Sequence, residues 1–112
     1  MNIYYNVEIQ TSGTNELTDI ILDQIMHIFK VDEMDIDERE SYRAVLFFKS
    51  ECNPSEMRNR VKQYFQHGKP IHYIDVVYRW EHEMNADRFV YWGDGREQNY
   101  VGKIIFEEEK IK

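Results

Sequence analysis

The chain has 112 residues, a formal net charge of −7, one cysteine and only seven glycines and prolines together. That length fits one domain with one core, and so few breakers argue against a disordered chain. The lone Cys52 excludes an internal disulfide and points to a reducing compartment, and no apolar run approaches the ~20 residues of a membrane span.

The opening Met1-Asn2-Ile3-Tyr4-Tyr5 has neither the basic nor the apolar region of a signal peptide, so a cytoplasmic location is expected. Ile3, Tyr5, Val7 and Ile9 alternate with polar or aromatic neighbours, which reads as a strand. Thr11-Ser12-Gly13-Thr14 breaks it, with Thr14 as the expected N-cap of a helix over 14–30. Leu17, Ile20, Ile21, Gln24, Ile25 and Ile28 mark its inward face. Residues 31–40 are mostly acidic, with Met34 and Ile36 two apart, and read as a loop leading into a weak, charge-guarded edge strand. Arg43 to Lys49 is the most apolar run and reads as a central strand.

Asn53-Pro54-Ser55-Glu56 is a helix start, with Asn53 as cap and Pro54 at the first helical position. Met57, Val61, Tyr64 and Phe65 give that helix a buried face, and Gly68 and Pro70 end it. Ile71 to Glu83 reads as a long strand with Ile74, Val76, Tyr78 and Trp80 on one face. After a turn at 85–87, Arg88 to Trp92 and Tyr100 to Glu108 read as two strands around a Gly93-Asp94-Gly95 turn. The expected fold is α+β: a ferredoxin-like βαββαβ antiparallel sheet, two helices on one of its faces, and an appended C-terminal β-hairpin, all in one domain over 1–112.

Charge is segregated along this order. Glu16 to Glu40 holds nine acids and two bases, a net of −7, while the other residues sum to zero. Arg43 to Lys69 carries a net of +4. Such a polarised field repels nucleic acid at one pole and attracts basic protein surfaces. The acids of the loop and edge strand, Asp32, Glu33, Asp35, Asp37, Glu38 and Glu40, are the candidate partner-binding residues. Tyr4, Val45, Phe47, Tyr73 and Val77 fall on the face expected to lack helices. They form an apolar strip that the hairpin, a second copy or a partner would cover.

Tests for chemistry fail. An EF-hand loop needs Gly at its sixth position and Glu at its twelfth; from Asp32 these are Asp37 and Arg43, and from Asp35 they are Glu40 and Leu46. His27, His67, His72 and His82 lack the spacing of a zinc site. Cys52 precedes a helix start, which would lower its pKa, but no base can be placed beside it. Gly93-Asp94-Gly95 precedes no helix and is a turn rather than a phosphate cradle. An RNA-recognition module would stack bases on aromatics of its first and third strands, but the required Gly and aromatic spacing is missing and the net charge opposes it.

The resulting expectation is a non-enzymatic, cytoplasmic protein-binding domain with no metal or cofactor. It would be an inhibitor or immunity-type factor whose acidic pole occupies the basic groove of a nuclease or other nucleic-acid-binding protein. Phage anti-defence proteins, anti-CRISPR proteins among them, work this way as a class. The alternative expectation is a self-associating structural or regulatory domain, such as a homodimer, that uses the open sheet face, and the third is an RNA-recognition-like binder.

Overall fold

The alternation at the N-terminus forms strand β1 (Ile3–Thr11), in which every odd residue is buried and every even one half-exposed. The structure is a computed structural model that describes residues 2–13, 15–31, 33–65 and 70–104. After β1 come α1 (Asp19–Phe29), β2 (Asp35–Arg39), β3 (Arg43–Ser50), α2 (Pro54–Phe65), β4 (Ile71–Trp80), β5 (Ala86–Trp92) and β6 (Glu97–Ile104). The strands form one antiparallel sheet in the order β2-β3-β1-β4-β5-β6.

β1 is paired on both sides, with Tyr5 opposite Phe48 of β3 and Tyr78 of β4. Period-two geometry then puts Ile3, Tyr5, Val7 and Ile9 on one face with Leu46, Phe48, Ile74 and Val76. The same core cluster holds Ile21, Leu22, Ile25, Ile28 and Phe29 of α1 and Met57, Val61 and Tyr64 of α2, so both helices pack on that face. The Tyr5 ring stacks on Phe48 with centroids 5.2 Å apart. Its buried hydroxyl donates to the Cys52 carbonyl at 2.6 Å. Burial pushes the Tyr5 phenol far above its ordinary pKa, so it stays a donor.

α1 begins at Asp19, later than the sequence pattern suggests. Its N-cap is Thr18, whose Oγ1 accepts from the Ile21 N–H at 3.3 Å; Thr14 lies outside the described residues. Leu17 and Leu22 occupy the positions of a hydrophobic staple across this cap, and both are buried. The shift leaves Ile20 71% exposed rather than on the inward face. α2 starts as its capping residues dictate, with Asn53 Oδ1 accepting from the Glu56 N–H at 2.9 Å. Residues 66–69, which include His67 and Gly68, lie outside the described residues.

The helices meet at the end of α1. The Arg60 guanidinium of α2 donates to the carbonyls of Ile28 (2.5 Å) and His27 (2.9 Å), capping the negative end of the α1 dipole. Lys30 Nζ pairs with Glu56 at 2.9 Å. The other bases of α2, Arg58 and Lys62, both pair with Glu97 of β6. Asp19 of α1 pairs with Arg39 of β2 at 2.8 Å.

The expected α+β architecture is present as one continuous six-stranded antiparallel sheet with two helices, and the appended hairpin forms its last two strands. β5 pairs with β4 from Tyr73 opposite Trp92 to Tyr78 opposite Asp87, so the hairpin continues the sheet edgewise instead of folding over its helix-free face. β4 ends at Trp80, short of Glu83, because Arg79 folds over the chain reversal and donates to the Glu83 carbonyl at 2.5 Å. Ala86 and Asp87 belong to β5 rather than to the turn. β6 starts at Glu97, and the expected strand residues beyond Ile104 lie outside the described residues.

The helix assignment predicts a contrast. Truncating fully buried Ile25 to Ala should cost about 2–5 kcal/mol in urea denaturation, and Ile20→Ala should stay within about 0.5 kcal/mol. Equal costs would show that the face of α1 had been misassigned.

Candidate protein-binding edge

β2 is short and acidic, and all five of its residues are exposed. Among the described residues it pairs only with β3 and ends the sheet, as expected of a strand guarded by charge. A register shift between Ile36 and Glu38 marks a bulge, a further guard against edge-to-edge pairing. Glu33, Asp35, Asp37, Glu38 and Glu40 are all exposed, and Asp32 lies outside the described residues.

These acids are not equivalent. Arg43, at the start of β3, gathers Glu38 at 2.7 Å, Glu8 of β1 at 3.2 Å and Glu40 at 3.9 Å. The turn that brings them together is closed by the Glu40 N–H donating to the Arg43 carbonyl at 2.7 Å. The hydrogen bonds to Glu38 and Glu8 hold the Arg43 guanidinium still more firmly in its charged form. The −7 pole is therefore partly neutralised at the C-terminal end of β2. Among the described residues, Glu33 and Asp35, at its N-terminal end, have no ion pair.

An open groove of about 820 Å³ lies at that less neutralised end. Its walls run from Lys30 through Glu33 and Asp35 on one side and from Phe47 to Glu51 on the other. The sequence reading missed both the groove and the three-carboxylate hub. The signal for the groove was the mismatch between a five-residue acidic segment and an eight-residue apolar one beside it.

The expected strip lies on the helix-free face, where the register places Tyr4 beside Lys49 and Arg79, and Asn6 beside Phe47 and Val77. Phe47 is only 1% exposed within the single chain. Tyr4, Val45, Tyr73 and Val77 are half-buried. Polar pairs run between them: Arg88 grips Asp75 at 2.6 and 2.8 Å, and Arg79 lies over the Tyr4 ring at 4.9 Å. The strip is thus narrower and more charged than alternation alone implies, because long side chains on neighbouring strands reach across it.

Burial pushes the Cys52 thiol pKa up, and the neighbouring Glu56 carboxylate adds to the effect. Among the described residues, no group of three His, Cys, Asp or Glu side chains is gathered to hold a metal ion. No helix among them is long and apolar enough to cross a membrane. Comparison of the chain with protein-family models, curated proteins and solved structures gives no match.

Two measurements check this local chemistry. Cys52 should react with iodoacetamide at neutral pH more slowly than a free cysteine in an unfolded peptide. The hydrogen bond and charge of Lys30 hold the Glu56 carboxyl below its usual range. Stability from that pair is therefore present above the ordinary carboxylate pKa and is lost as pH falls through the lowered value. A carboxyl-carbon NMR titration should find the Glu56 midpoint depressed and Lys30→Met should return it towards the ordinary value; an unchanged midpoint would contradict the assignment.

Proposed function

We propose that this chain is a non-enzymatic protein-binding module whose acidic edge docks on a basic protein surface. The observation that carries the reading is β2: a fully exposed strand at the sheet margin, inside the segment that holds all the net charge. Dispersed charge would keep a protein dissolved equally well, so solubility alone does not require this concentration. Carboxylates spaced along a narrow edge imitate the charge of a nucleic-acid backbone. The favoured target class is therefore a nuclease or other nucleic-acid-binding protein, and the role an inhibitor or immunity-type factor of the kind phage anti-defence and anti-CRISPR proteins represent. A cytoplasmic setting and the absence of direct nucleic-acid binding belong to the same proposal.

The finer description of the fold also belongs here. β1 to β4 with both helices are read as a ferredoxin-like unit extended by a hairpin. The order β2-β3-β1-β4 within the larger sheet supports this.

A homodimer through Tyr4, Val45, Phe47, Tyr73 and Val77 has less support. Phe47 is buried within the chain, and the Arg43–Glu8 and Arg88–Asp75 pairs would have to be desolvated. An RNA-recognition-like use of the same face has less still, since Arg43 and Arg88 are already engaged by carboxylates and Arg79 by backbone carbonyls.

The test is charge reversal. Replacing Asp35, Asp37 and Glu38 together by Lys should leave the fold intact, because all three are exposed. A basic partner captured by the wild-type chain at low salt should be released by added duplex DNA, by ~1 M salt, where the Debye length shrinks to ~3 Å, and by the triple reversal. A partner indifferent to all three would rule out the acidic edge as its docking site.

A further inference from the structure

Backbone geometry says more about how a partner would be held. Along β3, hydrogen-bonding groups alternate between the two neighbouring strands. The Thr11 N–H donates to the Tyr42 carbonyl on the β1 side, and the Glu40 N–H donates to the Arg43 carbonyl on the β2 side. β3 pairs with β1 in unbroken register from Arg43 to Ser50, so this alternation continues along its length. Residues 44, 46, 48 and 50 therefore bond to β1, while Arg43, Val45, Phe47 and Lys49 turn their N–H and C=O outward. β2 meets the first three of these, and its pairing stops at Asp35 opposite Phe47. Lys49 lies one step beyond. Among the described residues, no strand stands beside its outward donor and acceptor, which face the groove.

The charge around this edge selects the occupant. Lys30 of the groove is engaged by Glu56, and Lys49 Nζ lies over the Tyr4 ring at 6.0 Å. Among the described residues, Glu33, Asp35 and Glu51 have no ion pair. An unpaired strand edge offers a ladder to any extended chain, and the surrounding carboxylates favour a cationic one.

We infer that the groove at the end of β2 takes an extended basic segment of the partner protein, which pairs as a short strand with the backbone of Lys49 and lays its Lys or Arg side chains against Glu33, Asp35 and Glu51. The inference rests on the acidic-edge reading and specifies its partner as a basic strand rather than a folded basic surface. Main-chain bonds would supply the hold, and the carboxylates would supply the choice of sign.

The test uses the full chain, labelled with nitrogen-15, and three synthetic peptides. One alternates Lys and Val, one alternates Glu and Val, and one is the basic peptide with alternate backbone nitrogens methylated. The basic peptide should shift the Lys49 amide and slow its exchange with solvent. Methylation and the Glu33→Lys, Glu51→Lys double variant should each weaken binding about tenfold, and the acidic peptide should not bind. If the basic peptide perturbs β2 but not Lys49, and methylation changes nothing, strand pairing is overturned while the acidic-edge reading stands. If neither peptide binds, strand pairing is overturned while docking on a folded basic surface stands; if the acidic peptide binds as well as the basic one, both are overturned.

Discussion

The pairing of β1 on both of its sides is the constraint from which the rest of the molecule follows. Its strict alternation sends Ile3, Tyr5, Val7 and Ile9 to one face, and its registers with β3 and β4 carry that division across the sheet. A slip of one residue would turn Tyr5 and Val7 to solvent and bring Glu8 and Gln10 into the core. The cost of that exchange, several buried apolar side chains at roughly 1.5–3 kcal/mol each, makes the register effectively unique. Both helices then have only one apolar face on which to pack, and Tyr5 secures the arrangement by bonding to the carbonyl of Cys52 at the mouth of α2.

From that division the two faces and two edges acquire different chemistry. The face opposite the two helices is crossed by Arg43–Glu8 and Arg88–Asp75 pairs, which lower its apolar character. Both pairs are half-buried. Their effect is on what the face can bind, since burying them against a partner requires desolvating charges. The β2 edge is different. There Arg43 binds carboxylates at the C-terminal end of the strand, and among the described residues Glu33 and Asp35 have no ion pair at the N-terminal end beside the groove. The basic charge of α2, which would otherwise offset the acidic pole, is directed to Glu97 and to the end of α1. Segregated charge in the sequence thus remains segregated in the fold.

Elements whose local signals agree with their burial were legible in the sequence. β1 and β4 have clear alternation, α2 has its Asn53-Pro54 start, and β2 carries the acids of an edge strand. α1 was harder: Thr14 was read as its cap and Leu17 as part of its apolar face, whereas Thr18 is the cap. Tertiary contact decides, through the bond of the Leu17 N–H to the Ser41 carbonyl at 2.7 Å, which holds Leu17 outside the helix. The hairpin was read only as appended to the sheet, because alternation does not reveal which edge a strand joins. For the site, exposure of the acids was legible from their clustering. The sharing of Arg43 among Glu8, Glu38 and Glu40 depends on cross-strand register. The groove depends on β2 being shorter than its neighbour.

The central claim is that, among the described residues, β3 keeps an uncovered outer edge beyond β2, and hydrogen exchange in the free protein tests it most directly. Phe48 and Ser50 turn their backbone groups to β1, and Phe47 turns its own to β2, whereas the amide of Lys49 faces the groove. The account predicts slow exchange at Phe48 and Ser50 and, between them, exchange at Lys49 close to the rate of an unstructured chain. Protection of Lys49 equal to that of Phe48 would mean that the edge is already occupied, and would contradict the account.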